Sequence, residues 1–302
     1  PSLADLDRSV VSGLAWTGGV RSLTQGVQWL AALVVVRLLT PADYGLVAMA
    51  FAFTGLVRMF SEFGLGAAIV QRRELADGHI SRLGGASLVL GIVLIGVTIA
   101  ASAPVAGFFN EPRVQPIMMV LSVSFLLSGA DVVSRSLMRR DLEFRRLSYV
   151  QASSNLTYAA ASLALAWSGS GYWSLVIASV AGDFVRVIVA ISLRPHPLRL
   201  PIDLAVIRSE LWFGWHVAVS QFALYVRQFS DIVIVGRVLG QEALGAYNVA
   251  WTQANIPVER ITPVVSEVSG PVLAASQRDP AMLRRYVRVF TEGVAFVAFP
   301  IA

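Results

Sequence analysis

Eight long apolar stretches set the terms for this chain. They run at about 12–39, 43–61, 83–108, 114–138, 149–168, 172–193, 209–239 and 243–265, and a ninth starts near Val289. A helix of about 20 residues crosses the roughly 30 Å hydrocarbon layer of a bilayer. In lipid, backbone polar groups find partners only inside helices or closed barrels. The pattern therefore predicts an all-α, polytopic membrane protein. Composition agrees, with 56% apolar and only 14% charged residues, where a soluble domain carries about a quarter charged. Mean hydropathy is +0.67.

Where the charges fall predicts the orientation. The net charge is +5, and every basic residue is Arg. The second loop carries Arg72, Arg73 and Arg82, and the fourth carries Arg139, Arg140, Arg145 and Arg146. The sixth holds Arg194, Arg199 and Arg208, and the eighth Arg278, Arg284, Arg285 and Arg288. The odd-numbered loops are short and hold little beyond Arg113. Basic residues stay on the cytoplasmic side, so four loops agree on a cytoplasmic N-terminus. Arginines in short clusters between apolar runs are not a nucleic-acid surface. The first residues, PSLADLDRSVVSG, lack a basic region followed by a compact apolar run, so no cleavable signal is expected. Cysteine is absent, which removes disulfides, thiol catalysis and Cys metal sites. The three histidines, His79, His196 and His216, have no second His at ligand spacing. No glycine loop with Lys, Ser/His/Asp set or acidic metal cluster is visible, so neither an enzyme nor a cofactor is expected.

An internal repeat predicts the domain plan. Val34–Phe51, VVVRLLTPADYGLVAMAF, returns two hundred residues later as Ile234–Trp251, IVGRVLGQEALGAYNVAW. Arg37 matches Arg237, Gly45 matches Gly245 and Ala50 matches Ala250. Each copy joins the end of one apolar segment to the start of the next, in the same direction, which suggests two like-built halves. Residues 1–200 would form a six-helix lobe. Residues 201–302 would begin a second lobe with helices seven, eight and part of nine. The last run, VAFVAFPIA, breaks off at Ala302, so the chain is expected to be a piece of a longer one.

Polar residues inside these segments mark candidate sites. Arg21, Gln25 and Gln28 lie at i, i+4, i+7, on one helix face. Their repeat-matched positions are Gln221, Tyr225 and Gln228. Two matched polar faces read either as one shared aqueous cleft or as interhelical hydrogen bonding in a packed bundle. An ionised Arg21 at that depth favours the cleft, because burying it dry costs several kcal/mol. Arg227 and Asp231 are spaced to pair with each other. Arg58 and Glu62 sit near a helix end, where snorkelling accounts for Arg58. Ser124, Ser128, Asp131 and Arg135 form one stripe; Gln151, Asn155, Tyr158 and Ser162 form another; Asp183 accompanies Arg186. Most of these read as packing glue between helices, with a minority facing the cleft. Asn255 and Glu259 lie on a stripe broken by Pro257, which removes a backbone hydrogen bond and kinks the helix. They are candidates for a hinge or a coupling site. Gly91 and Gly96 read as helix packing.

Several long stretches also resemble a known family. RLLTPADYGLVAMAF at Arg37–Phe51, FSEFGLGAAIVQR at Phe60–Arg72, FFNEPRVQPIMMVLSVSFLLSG at Phe108–Gly129, RRDLEFRRLS at Arg139–Ser148 and DIVIVGRVLGQEALGAYNVAW at Asp231–Trp251 carry the likeness. They resemble the polysaccharide-transporter branch of the multidrug/oligosaccharidyl-lipid/polysaccharide exporter superfamily, nearest the colanic- and teichuronic-acid exporter-like, Wzx-type flippases. The resemblance implies a MATE-like two-lobe bundle of parallel six-helix repeats around a central cavity, with the second lobe incomplete here. It implies a bacterial inner-membrane protein that moves a lipid-linked oligosaccharide between leaflets, with membrane lipids, a polysaccharide polymerase and glycosyltransferases as its partners. In that role Arg21 and Arg227 would neutralise phosphate, and Gln25, Gln28, Gln221, Tyr225 and Gln228 would bond sugar hydroxyls. An alternative on the same fold is cation-coupled efflux of small molecules, with Asp231 or Glu259 as the coupling group. A membrane sugar transferase would need a substantial extracytoplasmic loop, and the short odd-numbered loops argue against one.

Overall fold

The computed structural model describes residues 23–63, 69, 77–141, 143–196, 222, 225–254, 288 and 292. The chain divides into two compact units, residues 1–245 and 246–302. Helices α1 (Leu23–Leu38), α2 (Pro41–Phe63), α3 (Asp77–Phe109), α4 (Val114–Arg140), α5 (Phe144–Trp167) and α6 (Trp173–Leu193) belong to the first unit. Helical residues 225–254, here α7, run out of it. No strand occurs among the described residues.

Three helical stretches are long and apolar enough to cross a bilayer: Ile80–Phe109 with 30 residues, Val114–Arg140 with 27 and Trp173–Leu193 with 21. Outward faces are apolar and exposed, as at Leu30, Ile92, Val97, Phe184, Ile188 and Val238. Such a surface belongs in lipid rather than water. The chain is a multi-pass membrane protein.

Local chemistry sets the helix junctions. Thr40 and Asp43 form a reciprocal cap at the start of α2: the Thr40 N–H donates to Asp43 Oδ2 at 2.9 Å, and the Asp43 N–H donates to Thr40 Oγ1 at 3.3 Å. The other oxygen, Asp43 Oδ1, accepts from the Tyr172 N–H at 3.0 Å, which ties the α1–α2 turn to the α5–α6 turn. Asn110 takes a left-handed φ of 55° after α3, a conformation Asn tolerates better than most residues.

Small residues let the helices close. Where α3 crosses α4, a side chain on Gly129 would overlap the Ser87 carbonyl, and Ser87 Oγ donates to Gly129 O at 2.6 Å. Gly91 meets Phe125 at the same crossing, whereas Gly96 has nothing within 4 Å of its would-be Cβ. Around these contacts Ile69, Leu83, Val133 and Leu137 form one buried cluster. Met138, Val150 and Ala190 form another, joining α4, α5 and α6.

The matched glycines of the repeat meet each other's copies. A Cβ on Gly45 would run into the backbone carbonyl of Gln241, and one on Gly245 would run into that of Pro41. Positions 41 and 241 are themselves repeat-matched, so the contact is reciprocal, as in an isologous pair. Beside it Arg113 Nη2 donates to Gln241 Oε1 at 2.9 Å. Asn110, in the amide orientation that satisfies both its ends, accepts from Arg237 Nη1 at 2.6 Å.

Candidate functional site

A cavity of about 370 Å³ opens within the first unit, walled by α1, α2, α4, α5 and α6. Its lining is polar for a space inside apolar helices. Helix α1 brings Gln28, α2 brings Thr54 and Arg58, and α4 brings Ser124. Helix α5 brings Gln151, Ser154, Asn155 and Tyr158, and α6 brings Ser179, Asp183 and Arg186. These residues recur at helical spacing on faces turned from lipid, which is why one cavity collects them.

Five charges form a continuous chain across three helices. Arg135 Nη2 donates to Asp131 Oδ1 at 2.9 Å, and Asp131 Oδ2 accepts from Arg186 Nε at 2.8 Å. Arg186 Nη1 donates to Asp183 Oδ1, and Asp183 Oδ2 accepts from Arg58 Nη2 at 2.9 Å. Arg186 Nη2 adds a bond to Ser128 Oγ at 3.3 Å. Each carboxylate bridges two guanidinium groups. Asp131 is fully buried, while the Arg58 side chain keeps 38% exposure. An intramembrane charge is tolerated only when paired or wet; here the buried charges are paired, and Arg58 also lines the cavity.

This arrangement revises two readings of the sequence. Arg58 does not snorkel: it reaches across to Asp183, 125 residues on. The stripes on α4, α5 and α6 are not only packing glue, because Ser124, Gln151, Asn155, Tyr158, Asp183 and Arg186 line the cavity. Polar side chains at helical spacing inside apolar segments are the signal for them. Pairings between distant helices carry no sequence periodicity and could not be read.

The predicted site residues are distributed as follows. Gln28 lines this cavity, and Gln25 lines a second of about 390 Å³. Tyr225 is half-buried; its hydroxyl donates to Ala52 O on α2 at 2.6 Å, and its ring stacks on Phe229 at 4.3 Å. Arg227 and Gln228 are exposed. Asp231 is half-buried and accepts from the Ile232 N–H at 2.9 Å. Arg21, Gln221, Asn255, Pro257 and Glu259 lie outside the described residues. Among the described residues no three His, Asp or Glu side chains gather as a metal site.

Residues 34–302 match the family described as polysaccharide biosynthesis protein. The chain belongs to that family. Lipopolysaccharide biosynthesis protein WzxC of Escherichia coli is 24% identical over 98% of this chain and 60% of its own. Teichuronic acid biosynthesis protein TuaB of Bacillus subtilis is 24% identical over 99% of this chain and 62% of its own. Succinoglycan biosynthesis transport protein ExoT of Rhizobium meliloti is 22% identical over 90% of this chain and 55% of its own. The chain thus spans roughly 55–62% of the length of these family members.

Proposed function

We propose that this chain is the first lobe and the start of the second lobe of a flippase that moves a polyprenyl-pyrophosphate-linked oligosaccharide across the bacterial inner membrane by alternating access. The observation that carries the reading is the polar cavity, lined by amides and hydroxyls together with Arg58 and Arg186. A lipid-linked oligosaccharide presents the complementary chemistry: anionic phosphates, many hydroxyls, and a tail that stays in lipid. Guanidinium groups suit phosphate oxygens through charge-assisted, paired hydrogen bonds. Gln28, Gln151 and Asn155 offer donors and acceptors to sugars. Membership of a polysaccharide biosynthesis family, and a relative named as a transport protein, support the same reading.

In this account Arg21 and Arg227 share the phosphate with Arg58, and Gln25, Gln221, Tyr225 and Gln228 complete the sugar-binding face. Asp231, Asn255, Pro257 and Glu259 belong to the moving second half. The arginine-rich ends of α4 and α5 face the cytoplasm, and rocking of one lobe against the other exposes the site to each side in turn. The polymerase and glycosyltransferases of the pathway act next to it. The test is complementation of a flippase-null strain by the full-length protein. Arg58→Gln, and Arg21→Ala combined with Arg227→Ala, are each expected to lower export at least tenfold with normal membrane levels. Unchanged export by both variants would remove these arginines from the mechanism.

A further inference from the structure

The second cavity is a separate piece of chemistry. It lies at the arginine-rich end of α4, between α1 and the start of α5. Arg135 and Arg139 line it from α4, Phe144, Leu147 and Val150 from α5, and Gln25 from α1. Arg135 and Arg139 are four residues apart, so both guanidinium groups project from one face. Arg139 is exposed, and among the described residues no carboxylate pairs with it. Arg135 spends one Nη on Asp131, but its Nε is buried with no hydrogen-bond partner among protein atoms. A basic flank at a helix end accounts for Arg139 alone; it does not account for a second guanidinium, Arg135, lining the same cavity beside apolar side chains. The Nε itself is covered by protein; what Arg135 offers the cavity is the part of its side chain that stays exposed, 16%.

We propose that this cavity is a phosphate station for a lipid, in which Arg135 and Arg139 hold the phosphate head while the first part of the tail lies along Phe144, Leu147 and Val150. Two guanidinium groups beside three apolar side chains fit a phosphate on an alkyl chain better than a free anion. Gln151 and Asn155 line both cavities and bond each other, Nε2 to Oδ1 at 2.8 Å. They form the shared wall past which a head group would pass from this station to Arg58. The inference rests on the flippase reading and names its entry point.

Equilibrium binding of farnesyl phosphate to the purified full-length protein in detergent tests it, with farnesol and inorganic pyrophosphate as separate arms. Arg139→Gln is the main variant, because Arg139 is exposed and outside the ion-pair chain, so its unfolding midpoint should match the parent. Losing one charge-assisted phosphate contact is expected to weaken farnesyl phosphate about tenfold or more, while Arg139→Lys retains most of the affinity. Farnesol should bind far more weakly to all forms. Equal binding of farnesyl phosphate by parent and Arg139→Gln would overturn the station, as would farnesol binding as tightly as its phosphate. Pyrophosphate binding as well as farnesyl phosphate would replace the lipid by a free anion and overturn the proposal as stated. Flipping of lipid-linked oligosaccharide in proteoliposomes, measured on the same preparations, separates the two readings. Flipping that persists beside unchanged Arg139→Gln binding removes only the station, and no flipping by the parent removes the function itself.

Discussion

Residue by residue, the chain of five charges has unequal members. Asp131 and Asp183 each bond two arginines inside the bundle, so removing either takes away a carboxylate shared by two guanidinium groups. Breaking a buried pair by deleting one partner costs about 3–5 kcal/mol. Asp131→Ala and Asp183→Ala should therefore lower the thermal unfolding midpoint in detergent by many degrees. Arg58→Ala should cost much less, since its side chain is 38% exposed and Asp183 keeps Arg186. Equal losses for all three would mean that the chain does not act as a linked unit. A different residue sets the acid response. Glu111, in the α3–α4 turn, is held below the ordinary carboxylate range by the hydrogen bond from Arg113, against a smaller opposing effect of burial. A carboxyl depressed in the folded state stabilises above its unfolded value, about 4.3, and that contribution is lost as pH falls through the folded value. Arg113 is about half exposed, so the pair contributes within about 1 kcal/mol. Glu111→Gln should therefore lower the unfolding midpoint slightly at pH 7, and the gap should close as pH drops below about 4.

At the scale of elements, close backbone approach decides which substitutions the helices bear. Gly45 and Gly245 each face a carbonyl of the other's repeat copy, whereas Gly96 faces open space. Forcing methyl groups into a packed contact costs about 1–3 kcal/mol or moves the backbone. Gly45→Val and Gly245→Val should thus separate α2 from α7 and destabilise by at least that range. Gly96→Ala, with room and a better helix former, should be neutral or stabilising by up to about 1 kcal/mol. A thermal melt of the three variants checks the order. The elements themselves were legible in the sequence. The apolar stretches expected at 114–138 and 172–193 are helices Val114–Arg140 and Trp173–Leu193, because a span's length is fixed by the bilayer. The stretch expected at 83–108 begins earlier, at Asp77, since Arg82 continues the helix beyond its apolar part. Gly91 was read as packing from its type alone, and it packs. Gly96 has the same type and does not, because spacing along one helix cannot say where the next helix crosses.

For the whole molecule, the unequal part of the reading was the site. A bilayer protein hides polar residues from lipid, so a polar stripe announces an interior face but not what meets it there. The sequence placed Gln28 and Asp183 on inward faces of separate segments; only the fold brings both to one cavity and joins Asp183 to Arg58. The central claim is that this cavity is wet and takes the substrate. Because the chain contains no cysteine, single-cysteine labelling reads it directly. Asn155→Cys and Ser179→Cys line the cavity, and Ile92→Cys and Ile188→Cys lie on exposed apolar faces. In the full-length protein in membranes, a charged, membrane-impermeant thiol reagent is predicted to label the first two rapidly, with labelling slowed when lipid-linked oligosaccharide is supplied, and to leave the second two unmodified. Cavity cysteines as inert as the lipid-facing pair, or labelled at the same rate with and without substrate, would contradict the account.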